Sequence, residues 1–279
     1  PMRRKWIVGS WILLIAASGS ALFGHSRTAA AMQAAVSATR VDDVPRIKLC
    51  DTTPDVVAGR ETELDPTEPT LDLYIPPSDR ATGAGVLILP GGGYQMLTVP
   101  GEGADPARFF LSRNVAAFVL RYRHGPRYHY PTTLLDAQRA LRLIRARAQE
   151  YRVDPAKLGV LGGSAGGHLA AMLATLYDNM LLPEPPYVPD ATDGVSARPS
   201  FVLLLYPVID LSDDAVTHRG SRTNLTQDTP ILYDALSPQK HVTRDTPPGV
   251  HGPRHKRPFG AGEEFAALLR GVSQGWSAC

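Results

Sequence analysis

Ser164 is the residue whose surroundings point most directly to chemistry. It lies in Gly162-Gly163-Ser164-Ala165-Gly166, after the apolar run at residues 158–161 and before a segment rich in Ala and Leu. A serine hydroxyl is a poor nucleophile unless a base removes its proton and its oxygen is presented free of neighbours. A tight strand-to-helix turn with very small flanking residues presents a serine in this way. The pattern predicts a nucleophilic serine; the alternative is a glycine-rich turn that only packs closely.

A second glycine-rich segment, Pro90-Gly91-Gly92-Gly93-Tyr94, follows the apolar run at residues 86–89. Acyl transfer builds negative charge on a carbonyl oxygen, and preset backbone N–H groups must meet that charge. Consecutive glycines allow the backbone to approach the oxygen, and the residue after the serine supplies a further amide. The segment predicts an oxyanion hole formed by Gly91, Gly92, Gly93 and Ala165.

The elements that must position these two segments alternate between strand and helix patterns. Apolar runs of strand length lie at residues 71–75, 86–89, 115–122, 158–161 and 201–206. Helical patterns lie at residues 104–113, 131–151 and from residue 164 onward. This alternation predicts an α/β fold whose mostly parallel sheet has helices on both faces. In the helix at 131–151 apolar residues fill one face, and four arginines are expected largely elsewhere: Arg139, Arg142, Arg145 and Arg147.

Several motifs between residues 86 and 248 form a recognisable set, at residues 89–94, 130–131, 134–140, 162–170, 206–208, 217–221 and 245–248. This set resembles the acetylxylan esterases and the bifunctional feruloyl and acetylxylan esterases of the α/β-hydrolase superfamily. The resemblance implies an α/β-hydrolase fold and a serine carboxylesterase that acts through an acyl-enzyme on Ser164. It implies as substrate a small acyl ester or an acylated carbohydrate, such as acylated plant polysaccharide.

The sequence departs from this family after Pro248. There the resemblance implies a strand, a loop with the catalytic aspartate, a helix, another strand and a loop with the catalytic histidine. Residues 249–279 contain no Asp, and they are rich in Arg, His, Pro and Gly before one possible helix at 261–269. We therefore expect the last strands to be missing or replaced. A reading-frame shift in GC-rich DNA would produce this change, and resequencing of the gene tests it.

Two histidines are candidates for the base that activates Ser164. His251 lies near the expected end of a strand, and His255 follows it by four residues. His168 lies one helical turn after Ser164 and points back into the fold, so we interpret it as a packing or supporting residue. No acid partner is identified, and the remaining carboxylates are expected in solvated loops or caps: Asp210, Asp213, Asp214 and Asp228. The alternative function is a truncated, catalytically impaired relative that only binds ligand.

The N-terminus combines Arg3, Arg4 and Lys5 with an apolar run at residues 6–23. This layout predicts a signal peptide at residues 1–31 and a secreted or periplasmic protein. The alternative is a membrane anchor, because about 18 apolar residues just span a bilayer. Residues 32–68 are predicted to form a linker and N-terminal arm, residues 69–248 the hydrolase core, and residues 249–279 a divergent C-terminal segment.

The charge of the chain argues against some classes of partner. The formal net charge is +2, and without the four basic residues of segment 1–31 the chain has 25 basic and 27 acidic residues. Such a chain offers no basic footprint for nucleic acid, so we expect neither a nucleic-acid partner nor a stable membrane partner. No motif implies a metal, nucleotide or flavin cofactor. Cys50 and Cys279 either pair or remain free thiols.

Overall fold

The computed structural model describes residues 44–51, 66–177 and 189–251 of the protein. Seven strands form one sheet in the order β1-β2-β4-β3-β5-β6-β7. β1 and β2 are antiparallel to their neighbours, and the other strands are parallel. The strands are β1 Arg46–Lys48, β2 Thr70–Tyr74, β3 Gly83–Leu89, β4 Ala116–Arg121, β5 Val153–Gly163, β6 Val202–Leu205 and β7 Gly249–His251.

From β3 onward, the described helices connect successive strands. They are α1 Asp105–Leu111, α2 Thr132–Ala146, α3 Ser164–Thr175, α4 Arg219–Thr226 and α5 Ile231–Ala235. A single π-helical turn, Val99–Ala104, leads directly into α1, and a 3-10 turn, Pro238–His241, follows α5. α1 packs on β4 and β2, and α3 packs on β5 and β6. None of the helices in the described ranges is long and apolar enough to cross a membrane.

Both faces of the sheet are covered. All six residues of β4 are buried, and so are the last five residues of β3. Because successive side chains of a strand point to opposite faces, an unbroken buried run requires packing on each side. The prediction of a mostly parallel sheet with helices on both faces is therefore confirmed.

Two short strands lie outside residues 69–248, the predicted core. β1 lies within residues 32–68, which were expected to form a linker and N-terminal arm, and it pairs with β2. β7 lies beyond residue 248, where the core was expected to end, and it extends the sheet beside β6. The first strand expected after Pro248 is therefore present. Each strand has three residues, which is too short for a periodic pattern, and each forms because a neighbouring strand offers backbone partners.

The arginines of α2 make contacts that the sequence did not indicate. Arg139 and Arg142 are buried. Arg139 binds Asp190 and Asp193 and donates to the carbonyl of Leu49. Arg142 donates to the carbonyl of Val195, and Arg145 donates to the carbonyls of Ser196 and Arg198. The arginines thus hold the segment at residues 190–198 against α2.

Candidate active site

Ser164 lies at the junction of β5 and α3. It follows the last residue of β5 directly, and its φ of 51° places a non-glycine residue in the left-handed region. A Cβ at Gly166 would overlap the carbonyl of Leu89 and the backbone of Pro90. The turn is therefore closed by backbone approaching backbone, which only glycine allows. The serine is partly exposed, as a nucleophile must be.

The second glycine segment lies beside this serine. A Cβ built at Gly91 would be 3.1 Å from the Cβ of Ser164. Gly92 and Gly93 have φ values of 130° and 66°, and Tyr94 follows at 56°. This succession of positive φ values turns the chain sharply after β3, which explains why glycines occupy the bend. The structure thus brings together the two segments that the sequence predicted to form one site.

Side chains from three other parts of the chain fix the carbonyl groups of this loop. The hydroxyl of Tyr122 donates to the carbonyl of Pro90 at 2.6 Å, and burial together with the charge of Glu102 raises the pKa of this phenol. Thr98 donates to the carbonyl of Gly91 from both its amide and its hydroxyl, each at 3.0 Å. The amide of Asn224, on α4, donates to the carbonyl of Gly93 at 2.8 Å.

The amides of the loop fall into two groups. Gly91 N donates to Oε2 of Glu102 at 2.8 Å, so this amide is engaged within the protein. Among the described residues, no acceptor is found for the amides of Gly92 and Gly93. Ala165 lies in the first turn of α3, where amides have no partner within the helix. The donors available to a ligand are therefore Gly92, Gly93 and Ala165, and the prediction that Gly91 donates to an oxyanion requires its bond to Glu102 to break.

Tyr94 ties the end of the loop to the interior through His168. The Tyr94 hydroxyl and Nδ1 of His168 are 2.7 Å apart, and Nε2 of His168 lies 2.7 Å from the carbonyl of Leu236. A carbonyl only accepts, so Nε2 carries the proton and Nδ1 accepts from Tyr94. Burial lowers the pKa of His168 to about 4, although the bond to Leu236 opposes this change. A neutral, buried imidazole with both nitrogens engaged is a supporting residue, as the sequence analysis expected.

The identity of the catalytic base stays a prediction. His251 is the last residue of β7, where its backbone pairs with Leu204 of β6, and its side chain is not described. His255 and the predicted signal peptide lie outside the described residues. No histidine side chain of the described ranges hydrogen-bonds to the Ser164 hydroxyl. The carboxylates of Asp210, Asp213, Asp214 and Asp228 cap turns or bind exposed partners, as expected.

Two residues that the sequence did not indicate as site residues, Glu102 and Tyr206, lie beside Gly163, the residue before the nucleophile. A Cβ at Gly163 would be 2.8 Å from Oε2 of Glu102 and 3.3 Å from the hydroxyl of Tyr206. The only local signal for Glu102 is its place between Gly101 and Gly103. Tyr206 was included in a family motif, but nothing in that motif indicated its neighbour.

Comparison with known proteins identifies a family for this chain. The BD-FAE family model matches residues 71–254. The chain is 32% identical to an acetylxylan esterase of Xylanibacter ruminicola over 52% of its length, and 36% identical to endo-1,4-beta-xylanase B of Butyrivibrio fibrisolvens over 58%. It spans only 27% and 25% of these two relatives.

A solved structure gives a fuller match. The acetyl ester-xyloside bifunctional hydrolase of Caldicellulosiruptor lactoaceticus shares 32% sequence identity with this chain, with a TM-score of 0.64. The match covers 81% of each chain. The strand order, the position of Ser164 after β5 and the family match agree with one another. The chain therefore belongs to the BD-FAE family and has the α/β-hydrolase fold.

Proposed function

We propose that this protein is a carboxylic-ester hydrolase that acts through an acyl-enzyme on Ser164. The observation that carries the proposal is the position of Ser164, held at a φ of 51° between β5 and α3 with the Gly91 backbone beside its Cβ. A serine held in this way lies at the carboxyl end of a central strand, beside a loop whose Gly92 and Gly93 amides have no acceptor among the described residues. Acyl transfer needs this combination, whereas a closely packed structural turn needs no free donors.

The reaction follows from these positions. Oγ of Ser164 attacks the ester carbonyl while the base takes the hydroxyl proton, and the amides of Gly92, Gly93 and Ala165 bind the resulting oxyanion. The bond to the alcohol then breaks as the base returns the proton to the departing oxygen. Water attacks the acyl-enzyme by the same route and releases the carboxylic acid. His251 and His255 are the candidate bases.

The substrate class is supported by the relatives. One is named an acetylxylan esterase, another a xylanase, and the matching solved structure an acetyl ester-xyloside bifunctional hydrolase. We therefore propose acetyl or other small acyl esters as substrates, with acylated plant polysaccharide as the natural class. Hydrolysis of acetylated xylan, measured as released acetate, tests the polysaccharide, and 4-nitrophenyl acetate tests the chemistry alone. Hydrolysis of 4-nitrophenyl acetate without release of acetate from xylan would reject the polysaccharide as substrate, whereas the proposed esterase function would stand.

The decisive experiment is covalent labelling of Ser164. The full chain is incubated with a fluorophosphonate probe, and intact mass is followed for wild type and Ser164→Ala. We expect stoichiometric labelling of the wild type and none of the variant, because only an activated serine attacks phosphorus rapidly. A folded wild-type sample that resists the probe would reject the proposal and favour the catalytically impaired relative.

Export completes the proposal. The basic cluster at residues 3–5 and the apolar run at residues 6–23 support a signal peptide, and an acylated plant polysaccharide is an extracellular substrate. Expression of the full chain followed by fractionation and mass measurement tests this. A shortened product outside the cytoplasm supports export, whereas a full-length product in the membrane fraction supports the anchor.

A further inference from the structure

Glu102 occupies an unusual element beside the nucleophile. It lies in the π-helical turn Val99–Ala104, and such turns are rare and are frequent at functional sites. Its own amide donates to the carbonyl of Thr98 at 2.9 Å, and Thr98 in turn donates to the carbonyl of Gly91. The side chain returns to the same peptide, because Oε2 accepts from the Gly91 amide at 2.8 Å. Residues 98 and 102 thus hold Gly91 by its carbonyl and by its amide.

The Tyr206 phenol lies beside the same carboxylate, since a Cβ at Gly163 would be 3.3 Å from its hydroxyl and 2.8 Å from Oε2 of Glu102. Burial, the charge of Glu102 and a hydrogen bond to its carboxylate all raise the pKa of the Tyr206 phenol, so the phenol stays protonated and donates. Tyr206 follows β6 directly with a φ of 33°, a strained value for a non-glycine residue. Such strain persists only where the surroundings impose it, and it concentrates at functional sites. The carboxylate therefore joins the segment after β3 to the segment after β6.

Gly163, the residue before the nucleophile, leaves room for the Glu102 carboxylate because it has no side chain. A Cβ at Gly163 would meet Oε2 of Glu102 at 2.8 Å. The φ of −110° and ψ of 148° at Gly163 suit any residue, so the backbone does not require glycine there. The space requirement comes from Glu102 instead. The middle position of the elbow motif and Glu102 are consequently matched to each other.

We propose that Glu102, held by Tyr206, is a positioning residue that sets the oxyanion loop relative to Ser164. The inference rests on the proposed esterase function. By engaging the Gly91 amide, the carboxylate fixes the peptide that leads into Gly92 and Gly93, whose amides remain free for a substrate. Oxyanion stabilisation requires donors within about 2.7 to 3.1 Å of the charge, so a loop that shifts by a fraction of that distance loses rate.

The first test distinguishes loss of the hydrogen-bond acceptor for the Gly91 amide from general destabilisation of the fold. Glu102→Ala removes the acceptor, whereas Glu102→Gln keeps an oxygen that can accept from Gly91. With 4-nitrophenyl acetate we expect Glu102→Ala to lower kcat by about 10- to 100-fold with little change in KM, somewhat less than the 10²- to 10³-fold cost of deleting an oxyanion donor. Glu102→Gln should recover most of this loss. Glu150→Ala, an exposed carboxylate on another segment, is the matched control.

A thionoester analogue supplies a readout that a general loss of structure does not move. Sulfur accepts hydrogen bonds poorly, so its hydrolysis depends less on the oxyanion donors. We expect Glu102→Ala to lower kcat/KM for the oxoester much more than for the thionoester, so that the ratio between them falls about 10-fold or more. An equal loss on both esters, or no loss of kcat, would overturn the inference while the esterase function stands. A wild type that hydrolyses neither ester would instead overturn the function.

A double-mutant cycle with Gly163 tests the steric match. Gly163→Ala should displace the Glu102 carboxylate and reproduce the lowered oxoester preference of Glu102→Ala. In the Glu102→Ala background the same substitution loses its closest contact and keeps only the Tyr206 hydroxyl at 3.3 Å, so its further effect on kcat should be less than about 3-fold. Additive effects of the two substitutions would contradict the inference, because residues in contact are expected to couple.

Discussion

The hydroxyl of Tyr94 donates a 2.7 Å hydrogen bond to Nδ1 of His168, and both side chains are buried. The bond joins the glycine loop after β3 to the helix that begins at Ser164. The opposite nitrogen of the same ring reaches the carbonyl of Leu236, in the segment between β6 and β7. A single neutral imidazole therefore connects three parts of the chain, and its protonation would break the bond from Tyr94.

This arrangement predicts loss of stability in mild acid. The pKa of His168 is about 4 in the folded protein and about 6.5 unfolded, so the unfolded chain binds the proton more strongly. The stabilisation contributed by neutral His168 is complete above pH 6.5. As the pH falls from 6.5 towards 4, the free energy of unfolding decreases by up to about 3 kcal/mol. Urea unfolding at pH 7.5 and 4.5 measures this decrease. His168→Gln keeps a donor and an acceptor without titrating, and an unchanged pH dependence in this variant would contradict the prediction.

Arg139 is expected to be important for stability. Arg139→Ala leaves the buried carboxylate of Asp193 without this partner and releases the carbonyl of Leu49. Breaking a buried ion pair from one side costs about 3 to 5 kcal/mol, which urea unfolding will detect. Arg139→Lys should retain only part of the stability that Arg139→Ala loses, because one ammonium cannot reproduce the paired contacts to Asp190. The exposed Arg80→Ala is the control, and a loss as small as that of the control would count against this role.

The turn that presents Ser164 predicts a contrast between two glycines. Gly166→Ala would place a methyl group against the backbone of Leu89 and Pro90, so we expect a loss of about 4 kcal/mol or failure to fold. Gly101→Ala meets no atom within 4 Å and should leave stability unchanged within about 0.5 kcal/mol. Thermal unfolding of both variants tests the contrast. Equal melting temperatures would mean that the turn can relax.

The identity of the base can be decided by labelling rates. If His251 is the base, His251→Ala should slow fluorophosphonate labelling of Ser164 by about 10²- to 10⁴-fold, and His255→Ala should have little effect. The reverse result would assign His255. His241→Ala, a half-buried histidine on the 3-10 turn, controls for the loss of any histidine. Undiminished labelling in both variants would exclude both candidates.

The parts of the site that could be predicted from sequence are those with local requirements. A strand-to-helix turn as tight as the one at Ser164 needs glycine at fixed spacings, and the loop at Gly91 needs small residues for close approach. The long apolar strands and helices were recognisable for the same reason, and the α/β-hydrolase fold is confirmed. The chemical roles of Ser164 and of the loop amides stay predictions.

The remaining features depend on contacts between distant segments. Glu102 reaches Gly91 through a π-helical turn that no periodicity reveals, and Tyr206 reaches Glu102 only because β6 lies next to β5. The ion pairs of Arg139 on α2 could not be predicted from local sequence, because its carboxylate partners lie more than fifty residues away in the chain. The predicted export signal lies outside the described residues and also stays a prediction.

Because β5 lies inside the sheet, the reactivity of Ser164 should depend on complete folding of the domain. Its neighbours are β3 and β6, whose paired residues lie roughly seventy residues earlier and forty residues later in the chain. Parallel pairings between such distant segments form slowly, and no local hairpin can substitute for them. The reactive turn therefore emerges only when most of the domain has assembled. During refolding, recovery of probe labelling should follow the slowest phase rather than the early return of helical signal.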